Sequence, residues 1–242
     1  MGLCASSTTT TANPLAAAAA AARGEIRVPE DCKTLQEAVG RVHGDDRLTT
    51  IVVGKGKHQI DCHPDEYLGI PSAMNIVGDP DVPKEKIVVV GGIWFKKGIQ
   101  GNCHLQHLTL RQAKASGVSG LSSFTMDDVL VEQCSWSGVV AEGTGVVARC
   151  TDVEVRQCGW NGVVAGDGAS ITLIGAKTTV HHNCTKDGGD EYGLSVCYSS
   201  TSTIQLALPL TKETVATDNG GLLYTFDAAD DMQCVVLRRR RV

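Results

Sequence analysis

The sequence predicts an all-β fold, a right-handed parallel β-helix with a short N-terminal capping helix, and three observations support this prediction. Residues 131–141 (VEQCSWSGVVA) return as residues 155–165 (VRQCGWNGVVA), at an offset of 24. A looser copy begins at Leu110, and a partial copy begins at Val180. Within the copies, β-branched residues alternate with other residues between Gly, Ser and Asn, which is typical of short strands.

A repeat of this length indicates a solenoid, in which each unit buries its apolar face against its neighbours. No unit contains the Leu-x-x-Leu-x-Leu-x-x-Asn frame of leucine-rich repeats, so the β-helix is favoured. A coil of about 24 residues can hold three short strands and three turns, at roughly 3.3 Å per strand residue. Equivalent strands then stack into parallel sheets, and we expect Val131, Val155 and Val180 to stack inside.

The composition favours one solenoid and argues against several other classes of protein. The 242-residue chain has 27 Gly and 4% aromatic residues, which suits thin coils filled by small apolar side chains. A net charge of −5 gives no electrostatic reason to expect nucleic acid as a partner. The ten cysteines lack zinc-ligand spacing, and no run of 18 apolar residues occurs. We therefore expect a cytoplasmic monomer without a metal, a cofactor or a membrane-spanning helix.

Residues 1–24 form a low-complexity segment of Ser, Thr and Ala, which we expect to be disordered because nothing beside it offers a packing face. Its start, MGLCAS, fits the frame for N-myristoylation, with Gly2 as the acceptor. Cys4 is a candidate for a second, reversible acyl chain, and two chains give a stable membrane anchor. A chance match to this short frame is the alternative.

Residues 25–46 are expected to close the N-terminal end of the solenoid. A first strand over residues 26–28 ends at Pro29. The segment TLQE, which begins at Thr34, is a capping-box pattern, and apolar residues follow it at helical spacing until Gly44. A short amphipathic helix of this kind covers the open hydrophobic end of a solenoid.

Three segments of this region resemble the start of pectin-lyase-like β-helix proteins: VPED at 28–31, TLQEAV at 34–39 and TIVVGKG at 50–56. The resemblance continues through the coils and covers about residues 25–220. It implies the β-helix fold and raises the expectation of activity on polysaccharides. Enzymes of that group display their sites on a flat parallel sheet, with two or three carboxylates or with an Arg base beside a metal.

The coils are expected to occupy residues 47–220. Two insertions lengthen their corners, at residues 184–191 and 208–213, and they make Val215 the expected equivalent of Val180.

Residues 221–242 have no coil pattern and look like the translation of a sequencing adapter. We therefore expect a non-native tail that contributes nothing to the fold. A genuine basic tail, with four consecutive Arg, is the alternative.

Alignment of the repeats predicts an inner column of side chains where each strand turns: Ala113, Cys134, Cys158, Asn183 and Asp218. Neighbouring coils lie roughly 4.8 Å apart, so Cys134 and Cys158 could approach disulfide distance. Stacked free thiols are expected in a cytosolic protein.

An outer column, two residues earlier in each repeat, contains Arg111, Glu132, Arg156 and His181, with Glu154 as the nearest second carboxylate. Alternating charges on neighbouring strands pair across a sheet, and we expect this structural role. The functional alternative is a binding face along the sheet. Because two cations flank Glu132, its carboxylate should stay ionised and be poorly suited to donate a proton.

Two other polar pairs in the sequence are candidate sites. His181 and His182 are adjacent in a strand, so their rings are expected to face opposite ways and to be unable to chelate one ion. His182 is expected to stack at a polar corner with Gln112, Gln133 and Gln157. Residues 127 and 128, both Asp, are expected in a turn without a partner carboxylate in other coils.

Two functional hypotheses follow from these patterns. The first is a non-catalytic β-helix module that binds a glycan or a protein along a sheet face, with or without a lipid tether. The second is a carbohydrate-active enzyme, a polysaccharide lyase or glycoside hydrolase, of the pectin-lyase-like group. The lack of paired carboxylates in the outer column favours the first.

Overall fold

The computed structural model of the chain describes residues 24–60, 67–186, 192–197, 201–219 and 233–235. Between residues 50 and 217 of this part of the chain, successive strands pass through three sheets in turn. The pairings between coils are parallel. The fold is a right-handed parallel β-helix, and the predicted fold class is confirmed.

The described residues form three sheets that run along the solenoid axis. Sheet 1 contains β1 (Glu25–Val28), β2 (Thr50–Val53), β5 (Asn75–Gly78), β8 (Cys103–Gln106), β11 (Phe124–Asp127), β14 (Val147–Thr151), β17 (Ser170–Ile174), β20 (Thr203–Leu206) and β22 (Gln233–Val235). Sheet 2 contains β3 (Gly56–Gln59), β6 (Ile87–Val90), β9 (Thr109–Arg111), β12 (Leu130–Glu132), β15 (Glu154–Arg156), β18 (Thr179–His181) and β21 (Ala216–Thr217). Sheet 3 contains β4 (Tyr67–Ile70), β7 (Gly92–Phe95), β10 (Val118–Gly120), β13 (Val139–Glu142), β16 (Val163–Gly166) and β19 (Leu194–Cys197).

The core consists of side chains stacked in register between coils. In sheet 2 the register aligns Val131 with Val155 and Val155 with Val180, and all three are fully buried, as predicted. The next residue in this stack is Ala216. The prediction that Val215 occupies this place is wrong by one residue, because Val215 ends a short helix that begins in the second insertion.

Two corners of the coil are made by residues in the left-handed region of backbone conformation. His107, Asp128 and Asp152 have φ between 49° and 53° at the corner from sheet 1 to sheet 2. The corner from sheet 2 to sheet 3 uses Gln112, Gln133, Gln157, His182 and Asp218, with φ between 51° and 57°. Few non-glycine residues adopt this conformation, so its recurrence shows that coil geometry, and not residue type, fixes these corners.

The register corrects one position of the predicted inner column. Thr217 pairs with His181, so Asp218 lies beside His182 in the polar corner, and the inner residue is Asn219. The remaining predicted members, Ala113, Cys134, Cys158 and Asn183, are buried as expected.

A glycine precedes each of β10, β13 and β16 in sheet 3, and it allows the coils to approach closely. A Cβ atom added at Gly117, Gly138 or Gly162 would overlap a valine Cγ1 of the following coil. For Gly138 that atom belongs to Val155 of the central stack. The glycine in the repeated motif is therefore explained by packing, since a larger residue would push the coils apart.

The N-terminal end is covered by helix α1 (Leu35–Gly44), as predicted. Its buried residues are Leu35, Ala38, Val39 and Val42, one face of an amphipathic helix. Thr34 is the N-cap, and its Oγ1 accepts from the backbone N–H of Glu37 at 3.1 Å. A second helix, α2 (Lys212–Val215), begins in the later insertion and extends past it. None of the helices in the described residues is long and apolar enough to span a membrane.

Most of the predicted tail and the whole acylation motif, including Gly2 and Cys4, lie outside the described residues. The described part of the tail is β22, which pairs antiparallel with β20 at the edge of sheet 1.

Candidate binding face

The five residues of the predicted face lie together on the outer side of sheet 2. Arg111, Glu132 and Arg156 end β9, β12 and β15, and the strand register aligns each with the next. His181 ends β18 in the same register as Arg156. Glu154 begins β15, two residues before Arg156. We call these five residues the charge column.

Glu132 is the centre of the charge column. Its Oε1 accepts from Nε of Arg111 at 2.5 Å, and its Oε2 accepts from Nε and Nη2 of Arg156 at 2.9 and 2.8 Å. The residue is only 2% exposed, although both guanidinium groups are partly open to solvent. Because guanidinium groups occupy both oxygens of Glu132, its carboxylate is not available to a substrate.

The column continues through Glu154 to a pair of histidines. Glu154 Oε1 accepts from Nη1 of Arg156 at 2.9 Å and lies 3.3 Å from Nε2 of His181. The Nδ1 atoms of His181 and His182 are 2.7 Å apart, so one of them donates a hydrogen bond to the other. The prediction that these rings face opposite ways is wrong. The left-handed backbone at His182 turns its ring back towards His181.

Beside the charge column, at the turn from sheet 2 to sheet 3, two indole rings stack on each other. Trp136 and Trp160 have ring centroids 5.3 Å apart and an angle of 5° between the ring planes. They are 46% and 40% exposed, unusually high values for large aromatic side chains. We call them the tryptophan pair. The sequence contained a signal for this pair, since both copies of the motif place Trp two residues after the buried Cys.

Backbone hydrogen bonds hold the turns of the tryptophan pair in register. The N–H of Trp136 donates to the carbonyl oxygen of Ala115, and the N–H of Trp160 donates to that of Trp136, both at 3.1 Å. At the corner before each Trp, the exposed Gln133 donates through Nε2 to Oε1 of Gln157 at 3.4 Å. The turns therefore present a fixed aromatic pair beside a pair of amide side chains.

Buried groups beneath these turns support them. Cys134 and Cys158 carry free thiols, as predicted, and both are buried. The contact with Cys158, together with burial, raises the pKa of Cys134 well above its ordinary value. One coil later, Asn183 Oδ1 accepts from the N–H of Cys158 at 3.1 Å, and Asn183 Nδ2 donates to Oδ1 of Asn219 at 3.0 Å. These amides satisfy polar backbone groups inside the corner.

A second cluster of charges lies at the corner from sheet 1 to sheet 2. Asp128 accepts from Nζ of Lys84 at 2.5 Å and from Nδ1 of His107 at 2.6 Å. Burial raises the pKa of Asp128, but these hydrogen bonds outweigh burial and hold the pKa below its ordinary value. Nε2 of His107 faces the carbonyl oxygen of Val82 at 2.9 Å, so both ring nitrogens are occupied. This arrangement fixes the corner and leaves no group for chemistry.

The structure also brings together carboxylates of neighbouring coils at two places that were not predicted. The corner equivalent of Asp128 is Asp152, so the prediction that no other coil has a carboxylate there is wrong.

At the end of sheet 3, Glu142 lies near Asp167 of the next coil. Burial, and secondarily the charge of Asp167, raises the pKa of Glu142 above its ordinary value.

Within the described ranges, no group of three or more His, Cys, Asp or Glu side chains is arranged to hold a metal ion. Comparison of the chain with protein-family models, with curated proteins and with solved structures gives no match. The features that bear on function are therefore the charge column, the tryptophan pair and the solenoid that positions them.

Proposed function

We propose that this protein is a non-catalytic β-helix module that binds a glycan across the charge column and the adjoining tryptophan pair. The observation that carries the proposal is the exposure of two stacked indoles on a rigid turn. Large exposed aromatic side chains cost solvation free energy, and they are enriched at binding surfaces. Sugar rings have apolar C–H faces that pack on indole, and hydroxyl groups that hydrogen-bond to amide side chains such as those of Gln133 and Gln157.

The charge column supports binding without catalysis. Acid–base cleavage of a glycosidic bond needs a carboxyl group that can donate a proton and a second one placed to assist it. Glu132 is buried between two guanidinium groups, and Glu154 is held by Arg156. Both carboxylates are therefore committed to ion pairs, and their role is to hold the strands of the face in register.

The proposal is tested with the full-length protein and a panel of neutral and acidic hexasaccharides, by isothermal titration calorimetry. We expect binding with no shortening of the ligand, with or without Ca²⁺, when the same samples are analysed by chromatography. Trp136→Ala should weaken binding, whereas Val147→Ala, at an exposed valine of sheet 1, should leave binding unchanged. Unsaturated sugar products that disappear in Arg156→Ala would overturn the proposal.

A second candidate function is a carbohydrate-active enzyme of the pectin-lyase-like group, and Glu142 is the observation that favours it. Its raised pKa is a property of general acids, and Asp167 lies near it. The test of this candidate is to measure whether the full-length protein releases new reducing ends or unsaturated products from the hexasaccharides. Loss of that activity in Glu142→Gln, with the fold retained by circular dichroism, would support this candidate over the binding module.

A further inference from the structure

The two indoles of the tryptophan pair are not equivalent, because they have different neighbours in the adjoining coils. The face of Trp136 directed towards the following coil is covered by Trp160. In the preceding coil, the residue that accepts a hydrogen bond from the Trp136 N–H is Ala115, whose side chain is a methyl group. The face of Trp136 directed towards that coil is therefore bordered by a small side chain.

The opposite side of the pair is more crowded. The N–H groups of Thr185 and Lys186 donate to the carbonyl oxygens of Cys158 and Gly159, which places this segment against the turn of Trp160. A Cβ atom at Gly159 would meet Cε of Lys186 at 3.0 Å, so the lysine stem lies close to the turn. The difference between the two sides agrees with the greater exposure of Trp136, 46% against 40% for Trp160.

The charges around the pair do not select an ionic ligand. The exposed residues of the two turns are Gln133, Trp136, Gln157 and Trp160, and all are uncharged. The exposed cation Lys186 lies against the turn of Trp160, on the opposite side of the pair from Ala115. In the adjoining charge column the two arginines are balanced by the two glutamates. Lys114, in the turn before the pair, already engages another group.

We propose that the face of Trp136 directed towards Ala115 is a subsite for an uncharged pyranose ring, with the amides of Gln133 and of Gln112, the exposed corner residue in the coil of Ala115, hydrogen-bonding to its hydroxyl groups. This inference rests on the proposed function and narrows its ligand to neutral glycans. Trp160 supports the subsite from behind and holds the indole of Trp136 in place.

The experiment compares neutral hexasaccharides of glucose, mannose and xylose with a hexasaccharide of galacturonic acid, on the full-length protein. We expect a neutral ligand to bind, and Trp136→Ala to weaken its binding by about tenfold, as for an aromatic residue at the centre of an interface. Trp136→Phe should restore most of the affinity, because stacking needs a ring and not the indole N–H. Trp160→Ala should have a smaller effect, roughly threefold, since it removes support and not the contact itself.

The salt dependence gives a second readout. Binding of a neutral glycan should be unchanged in about 1 M sodium chloride, where the screening length is only about 3 Å. Trp94→Phe is the matched control, since Trp94 belongs to a strand of sheet 3 and should not change the affinity.

Two results would overturn the inference in distinguishable ways. Salt-sensitive binding of only the galacturonic acid hexasaccharide would contradict the neutral subsite and leave the binding module standing. Failure of every hexasaccharide to bind would contradict both the subsite and the proposed function.

Discussion

At the scale of single residues, the environment of Glu132 shows how one buried charge can organise a surface. Its two oxygens face Arg111 on one side and Arg156 on the other, so the three side chains join three successive coils. Burial of the carboxylate carries a desolvation cost, which the hydrogen bonds from both guanidinium groups offset. Removal of the carboxylate would leave two cations beside each other across the strand of β12.

We predict that Glu132→Gln lowers the free energy of unfolding by about 2 to 3 kcal/mol, because it breaks a buried ion pair while the arginines can still reach solvent. Urea denaturation followed by circular dichroism measures the change. Glu154→Gln is the matched control, and its effect should stay below about 1 kcal/mol because the Glu154 side chain is partly exposed. Equal losses for the two variants would contradict the central role of Glu132.

Glu142 gives a prediction about pH. Its pKa is raised in the folded protein, so the folded state holds this proton more tightly than the unfolded state does. Stability is therefore lost as the pH rises from the ordinary value of 4.5 through the raised value.

Glu142→Gln should remove this loss. The variant should unfold at a higher urea concentration than the wild type at about pH 8, and the advantage should vanish at about pH 4, where Glu142 is protonated in both states. Asp167→Asn should give a smaller gain, because it removes only the secondary cause. A Glu142→Gln variant that is less stable at about pH 8 would show that the carboxylate is held by a favourable contact.

At the scale of elements, the unit of stability is the contact between one coil and the next. Val155 lies between Val131 and Val180 in sheet 2. The Cγ1 atom of Val155 fills the space that a Cβ atom at Gly138 would need. A change at this position therefore affects three coils and the turn that carries the glycine.

We predict that Val155→Asp lowers the free energy of unfolding by more than about 4 kcal/mol, since the core around it offers no partner for a carboxylate. Thermal unfolding should show early loss of the coils around residue 155. Val147→Asp is the matched control, because Val147 is 43% exposed on sheet 1, and its cost should stay within about 0.5 kcal/mol. A well-folded Val155→Asp protein with unchanged melting temperature would contradict the assigned register.

The sequence was sufficient to predict what depends on periodicity. The offset of 24 between the two copies aligned Val131 with Val155, and the same alignment placed Glu132 beside Arg156. The alignment failed by one residue at Val215 and Asp218, because the number of residues taken up by the intervening insertions cannot be read from the pattern. The strand register of Ala216 with Val180 settles it.

The rest of the site depends on backbone conformation and exposure, and neither follows from residue type. The ring orientation of His182 depends on the left-handed backbone at that residue, so nothing in its sequence context predicted that the ring would turn towards His181. Trp136 and Trp160 were visible as repeated letters, but buried and exposed aromatic residues look alike in a sequence. The proximity of Glu142 to Asp167 depends on the turn that joins sheet 3 to sheet 1.

At the scale of the whole molecule, the solenoid has an N-terminal end that is covered by a helix and, at its other end, a strand pairing that is antiparallel instead of parallel. Helix α1 packs its apolar face on the first coil. At the other end, β20 pairs antiparallel with the three residues of β22, whereas its other neighbour, β17, is parallel.

We predict that deletion of residues 222–242 changes the melting temperature by less than about 3 °C, since a three-residue pairing adds little to a stack whose coils stabilise each other. Differential scanning calorimetry of the full chain and the truncated chain makes the comparison. Deletion of β1 and α1 together, residues 24–46, should instead lower the melting temperature markedly, because it removes the strand that pairs with Ile51 and Val53 and the helix that covers this end. A large drop on removal of the tail would identify it as a genuine cap.

The charge column also sets a rule for how such a molecule can grow. The apolar stack repeats with every coil, but the charges repeat only with every second coil, since Arg111, Glu132 and Arg156 alternate in sign. Duplication of a single coil would satisfy the core and place two like charges side by side on sheet 2. Duplication of residues 112–156 would instead preserve the alternation and lengthen the molecule by about 10 Å, and it would add one indole, a second copy of Trp136. Growth of this solenoid is therefore favoured in even numbers of coils.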